Sequence, residues 1–149
     1  ENNPLLGILR KNRCILTPHS GEFARLTGLS VSQIEGDRIE SARNFAKLRK
    51  VHLILKGAPT VVADPDGKIY INQTGNRGMA SAGMGDLLAG IIAAIWAETG
   101  DITSSSYAGV FLHGEAGYRA AARLGIRGVT ARDVLNEIPY VLKNYSDNG

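Results

Sequence analysis

Gly83-Met84-Gly85-Asp86-Leu87-Leu88-Ala89-Gly90-Ile91-Ile92-Ala93-Ala94-Ile95-Trp96 is the stretch that decides the fold. Two glycines and an acid open a run that is apolar nearly all round, which predicts a central, buried helix over Asp86 to Glu98. A loop of small residues leads into it: Thr74-Gly75-Asn76-Arg77-Gly78-Met79-Ala80-Ser81-Ala82. The first amides of a helix have no partner within it, and the helix dipole favours negative charge there. Gly83 and Gly85 let an anion such as phosphate approach that backbone, because no Cβ intervenes. A carboxylate does not bind phosphate, so Asp86 needs another task; it could take a proton from a hydroxyl about to attack a phosphoryl group. An acid in the first turn also stabilises a helix by about 0.3–1 kcal/mol without any further role, so the local pattern leaves both readings open. Two better-known phosphate loops are excluded. Met84-Gly85 stands where a Walker A loop has Lys and Ser/Thr, and Leu88 occupies the third glycine position of the dinucleotide fingerprint.

Outward from this helix the chain alternates. Cys14 to Thr17 reads as a strand ended by Pro18, and Glu22 to Thr27 as a short helix stopped by Gly28. Ser32 and Glu35 have capping-box spacing, and Ile39, Ala42, Phe45, Ala46 and Leu48 form an apolar stripe to about Lys50. Val51 to Leu55 is a second buried strand. Thr60 to Ala63, the Pro65-Asp66-Gly67 turn and Lys68 to Asn72 make a hairpin. Beyond Asp86 the chain is helical. Ser104 to Leu124 is closed by Gly125, and a last helix starts at Thr130 and Asp133. Its expected core face is Val134, Leu135, Ile138, Val141 and Leu142, with a kink at Pro139. The order predicts an α/β sandwich with a partly parallel sheet, as a single domain over 1–149. Glu1 to Leu9 reads as the end of a helix, and the abrupt start of the sheet suggests that earlier strands are missing.

The 149 residues are 44% hydrophobic, enough for one sizeable core. Net charge is +3, but Arg38, Arg43, Lys47, Arg49 and Lys50 alternate with Glu35, Asp37 and Glu40. That mixture reads as a solvated helix face and not as a nucleic-acid stripe. The single Cys14 cannot form an internal disulfide and reads as a buried thiol in a reducing compartment. No apolar run is long enough to span a bilayer, so the expected location is cytoplasmic.

Ligands gather at the carboxyl ends of strands in open α/β sheets. Three loops should meet there: Thr17 to Arg25, Lys56-Gly57-Ala58-Pro59-Thr60, and Asn76 to Asp86. Lys56 offers a point charge to a phosphate, beside exposed backbone at Gly57-Ala58. His19 is either a donor to a ligand or a loop histidine. His113 reads as a packing residue, Asp133 as a cap, and Asp64 and Asp66 as turn residues; no protein-built metal site is expected.

The segments TPHSGEFARLTG, LKGAPTVVADPDGKIYINQTGN, GMASAGMGDLLAGIIAAI and FLHGEAG resemble, in order, the C-terminal half of the ADP/ATP-dependent NAD(P)H-hydrate dehydratases. The resemblance runs from about residue 4 to 142. It implies a ribokinase-like three-layer sandwich and a domain longer at its N-terminus. It implies that His19, Ser20, Gly21, Glu22, Phe23, Ala24 and Arg25 contact hydrated NADH or NADPH, with Asp86 facing the substrate hydroxyl. It assigns Lys56, Gly57, Ala58, Pro59 and Thr60 to the adenine nucleotide, together with Asn76, Arg77, Gly78, Met79, Ala80, Ser81, Ala82, Gly83, Met84 and Gly85. ATP or ADP would phosphorylate the ring hydroxyl, and loss of phosphate would restore the reduced ring. Mg2+ would arrive with the nucleotide phosphates, and the resemblance further suggests a homo-oligomer, a tetramer. Ser20 and Arg77 replace two prolines common in that family, and Met84 stands where Ser or Thr is frequent. Two other readings are a ribokinase-like small-molecule kinase and a non-catalytic adenine-nucleotide-binding module.

Overall fold

The computed structural model describes residues 13–146, which fall into two compact units: residues up to 72 together with 102–106, and residues 73–101 together with those from 107 onward. The helix end expected over Glu1 to Leu9 lies outside the described residues.

The first unit holds β1 (Ile15–Leu16), α1 (Ser20–Thr27), α2 (Val31–Gly36), α3 (Arg38–Arg49), β2 (His52–Leu55), β3 (Thr60–Ala63) and β4 (Ile69–Asn72). The strands form one mixed sheet in the order β1-β2-β3-β4, with β1 parallel to β2 and the other pairs antiparallel. Strand residues alternate between faces. Leu53, Leu55, Val61 and Ala63 join Phe23, Ile34, Ala42, Phe45, Ala46 and Val51 in one core. Phe23 and Phe45 meet edge to face, ring centroids 5.1 Å apart. Ile54 and Val62 on the opposite face are fully buried too. The hairpin turn is built by Asp64, whose Oδ1 accepts from the amides of Asp66 and Lys68 at 2.9 Å each. Gly67 supplies the required positive φ of 90°.

Several expectations are corrected in this unit. The capping box lies two residues earlier than the spacing suggested: Ser30 Oγ accepts from Gln33 N, and Gln33 Oε1 accepts from Ser30 N. Ser32 and Glu35 do not cap; Glu35 instead pairs with Arg38. Leu48 is exposed and Ile39 sits at the margin, because the buried stripe of α3 is narrow and contains only Ala42, Phe45 and Ala46. Cys14 is half-buried, and partial desolvation pushes its thiol pKa up.

The second unit holds α4 (Met84–Thr99), most of α5 (Ile102–Leu124) and α6 (Ala131–Ser146). Its core is Met84, Ile91, Leu112, Ala116, Ala120, Val129, Val134 and Val141. Gly109 allows close helix approach, since a Cβ there would lie 3.2 Å from Ile92 Cα. Full burial of α4 does not hold among the described residues: Met84, Leu88, Ile91 and Ile92 are buried, while Ala89, Gly90, Ala93, Ala94 and Ala97 are exposed. Spacings of four, seven and eight residues put the buried set on a single stripe. The same geometry corrects α6. Val134 and Val141 are buried, Ile138 packs beside them, and Leu135 and Leu142 lie exposed on the flank. Pro139 sits inside the span assigned to α6. His113 is half-buried, with Nε2 lacking a hydrogen-bond partner; burial pushes its pKa down to about 4, so the ring is neutral near neutrality.

Candidate functional site

The strand-end segments of the first unit are joined by the sheet itself. Beyond β1 and β2 the parallel pairing continues as a bridge between His19 and Lys56, with Lys56 N donating to Pro18 O at 2.9 Å. The His19 and Lys56 loops are therefore neighbours because their strands are.

His19 is the N-cap of α1. Its Nδ1 accepts from Gly21 N at 3.0 Å and Glu22 N at 3.1 Å, while Glu22 Oε2 accepts from His19 N at 2.7 Å. This is a capping box with an imidazole in place of a hydroxyl. Because Nδ1 accepts, the neutral ring carries its proton on Nε2, which lies 3.5 Å from Glu22 Oε1. Lys56 Nζ lies 3.6 Å from Glu22 Oε2. The His19 amide holds the Glu22 carboxyl below its ordinary 4.5, with the Lys56 charge adding to it. Phe23 is fully buried and anchors the helix in the core. Glu22 and Arg25, with Leu16, Thr17, Pro18 and Leu26, line an open groove of about 380 Å³.

The capping role of Nδ1 and any role of Nε2 separate by mutation. His19→Asn keeps a side-chain acceptor at the N-cap, whereas His19→Ala costs about 1 kcal/mol of stability. We expect the Asn variant to retain the thermal midpoint and lose any ligand contact made by Nε2. A midpoint as low as that of the Ala variant would contradict the capping role.

Across the same sheet edge, Gly57 N and O both meet Thr60 Oγ1, at 3.3 Å and 3.0 Å, and the Ala58–Pro59 peptide is cis. The carbonyls of Leu55, Lys56 and Pro59 all accept from Arg38. Arg38 was not legible as a site residue, because its charge pattern is that of a solvated helix face. The spacing of His19 and Glu22 is a capping-box signal, masked by the rarity of histidine at an N-cap.

The second unit holds the other expected segment. Asn76 caps a short 3-10 turn, Arg77–Met79: its Oδ1 accepts from Gly78 N, and its Nδ2 donates to Gly117 O at 2.9 Å. Gly78 carries no Cβ because one would press on the Ile126 backbone, 3.1 Å from its carbonyl carbon. Residues 80–83 are exposed and lead to Gly83, the N-cap of α4, with φ 82° and no side chain to cap the helix. The first amides of α4 thus lack a side-chain cap. Asp86 is exposed in this first turn, and among the described residues no partner engages its carboxylate. Among the described residues no group of three or more His, Cys, Asp or Glu could hold a metal ion, and no helix is long and apolar enough to cross a membrane. The first two segments are thus brought together in one unit, and the third is built in the other.

Comparison with known proteins gives a consistent result. The sequence family described as NAD(P)H-hydrate dehydratase matches residues 2–140. The bifunctional NAD(P)H-hydrate repair enzyme of Moorella thermoacetica is 47% identical over 133 residues, covering 89% of this chain and 25% of that protein. The ADP/ATP-dependent NAD(P)H-hydrate dehydratase of Bacillus subtilis, co-crystallised with ATP and Mg2+, superposes with a TM-score of 0.86 at 34% identity. The match covers 89% of this chain and 48% of that one. A ribokinase-like superfamily protein of Enterococcus faecalis gives a TM-score of 0.77 at 26% identity, over 94% of this chain and 50% of that one. The chain thus spans about a quarter of the bifunctional relative and half of the solved structures, and its α/β fold is ribokinase-like.

Proposed function

The chain belongs to the NAD(P)H-hydrate dehydratase family, and we propose that it acts in the nucleotide-dependent dehydration of hydrated NADH or NADPH. The observation that carries this reading is Asp86: an exposed carboxylate with no partner among the described residues, in the first turn of a helix whose glycine N-cap leaves its first amides without a side-chain partner. The hydrated ring carries a hydroxyl on a saturated carbon, and hydroxide is a poor leaving group. Phosphorylation cures this. The hydroxyl oxygen on the ring attacks the terminal phosphorus of ATP or ADP, Asp86 takes its proton, and the bond to the nucleoside diphosphate or monophosphate breaks. The phosphorylated ring then loses phosphate from one carbon and a proton from its neighbour, which restores the ring double bond.

The chain's own residues bind and orient. The Gly83, Met84 and Gly85 amides are assigned to the transferred charge at the start of α4, where Met84 N–H also reaches Ser81 O at 3.4 Å. Asn76 through Ala82 and Lys56 through Thr60 are assigned to the adenine nucleotide. His19 Nε2, Ser20, Gly21, Glu22, Ala24 and Arg25 are assigned to the hydrated dinucleotide. Phe23 is assigned to the same segment, with its ring packed in the core. Met84 offers an amide but no hydroxyl, and its side chain is buried. No protein carboxylate cluster is required for Mg2+, because the ion enters on the phosphates. A homo-oligomer, a tetramer, is part of the same reading; Leu135, Tyr140, Leu142 and Tyr145 of α6 offer exposed apolar surface. Sedimentation as a monomer would remove that part.

Product analysis tests the chemistry. With ATP and Mg2+, each reduced dinucleotide recovered should be matched by one ADP and one inorganic phosphate. A phosphorylated product that persists would point to a small-molecule kinase, and nucleotide binding without turnover to a binding module.

A further inference from the structure

Arg38 opens α3 with a charged side chain that is only 11% exposed. Burial of a charge is unfavourable unless partners surround it. Here Nη1 donates to Glu35 Oε1 at 2.7 Å and Ser20 Oγ at 3.0 Å. Nη2 reaches three main-chain carbonyls, Leu55 at 3.1 Å, Lys56 at 3.2 Å and Pro59 at 3.3 Å. Ser20 Oγ closes the ring by donating to Glu35. One guanidinium therefore ties the start of α1 to the loop after β2, two segments 30 or more positions apart in the chain.

The carbonyl and N–H of a trans peptide point in opposite directions. Turning the Lys56 and Pro59 carbonyls toward Arg38 turns the amides of Gly57 and Thr60 away from it. The Gly57 amide then closes the turn on Thr60 Oγ1 at 3.3 Å. Gly57 has room for this fork only because it lacks a Cβ, which would sit 2.8 Å from Arg38 Cζ.

We propose that Arg38 is a positioning residue for nucleotide binding: its guanidinium sets the path of residues 56–60, whose turn is closed by Gly57 N donating to Thr60 Oγ1, so that the turn and the Lys56 side chain face the nucleotide phosphates. This rests on the assignment of Lys56 to Thr60 to the adenine nucleotide. Ser20, at the start of the histidine loop, is held by the same fork, which couples the two segments of the first unit.

Arg38→Met keeps the apolar stem and removes the fork. Its dissociation constant for Mg-ADP should rise about 10- to 100-fold, the scale on which misplaced binding groups act. Arg38→Lys should recover little, because a point charge cannot serve three carbonyls, a serine and a carboxylate together. Gly57→Ala should reproduce the loss by displacing the guanidinium. Added to Arg38→Met, it should cost no more than about twofold, since the shared contact is already gone. Amide hydrogen exchange at Gly57 and Thr60 should quicken in both single variants. A folded Arg38→Met that lowers only the thermal midpoint, with ADP affinity and exchange at these amides unchanged, would overturn the proposal. Multiplicative losses in the double variant would do the same. If the wild-type protein itself fails to bind Mg-ADP, the nucleotide assignment fails instead, and the exchange data still decide whether Arg38 sets the loop.

Discussion

Asp86→Asn lowers turnover of hydrated NADH by about 10²- to 10⁴-fold, the usual contribution of a positioned general base. The substitution changes one oxygen for an amide nitrogen at an exposed site in the first turn of α4, so the fold has little reason to change. Loss of a negative charge near the helix dipole costs about 0.3–1 kcal/mol, too little to explain a hundredfold effect on rate. Mg-ADP affinity should persist or rise slightly, because a carboxylate near phosphates is repulsive. Steady-state rates and calorimetric binding on the same preparation separate the two roles. A variant with reduced thermal stability and normal turnover would reduce Asp86 to a helix-dipole residue.

Gly114→Ala destabilises the protein by about 1–3 kcal/mol, the usual range for overpacking. Helix propensity alone gives the opposite sign, since Ala is favoured over Gly in a helix interior by about 1 kcal/mol. Packing decides. A Cβ at Gly114 would lie 2.7 Å from Thr74 Cβ and 2.8 Å from the Thr74 carbonyl carbon, and backbone cannot swing aside as a side-chain tip can. One turn on, a Cβ at Gly117 would meet Met79 Cε at 2.8 Å, and Gly117 O accepts from Asn76. The notch at Gly114 and Gly117 therefore seats residues 74–79, so Gly114→Ala should weaken Mg-ADP binding as well as folding. Gly90→Ala is the control: nothing lies within 4 Å of its added Cβ, and it should raise stability by about 1 kcal/mol. Equal rises in the thermal midpoint for both variants would contradict the notch.

Local signals in this chain specify structure where the physics is local. Gly28 ends α1 in the left-handed conformation, with its N–H on Ala24 O, as a glycine after a short apolar helix should. The hairpin from Thr60 to Asn72 follows from its turn residues, and the parallel β1-β2 pair from two apolar runs flanking helices. What was missed depends on partners distant in sequence. Leu48, Leu135 and Leu142 match an apolar stripe by spacing, yet the stripes their helices bury are narrower. Ser30 outcompetes Ser32 as a cap because Gln33 completes the box and Glu35 is drawn to Arg38. Arg38 itself carries no local mark, since its carbonyl partners lie at the end of β2 and in the loop after it. His19 stood out, but its capping role did not. Of the candidate site, the identity of the segments was legible in the sequence, while their supports were not.

The most direct test is to incubate the protein with hydrated NADH and Mg2+, with and without ATP or ADP, and to follow the return of reduced-nicotinamide absorbance. The account predicts recovery that requires one of the nucleotides and is lost in Asp86→Asn. No recovery with either nucleotide, or recovery that proceeds equally without one, would contradict it.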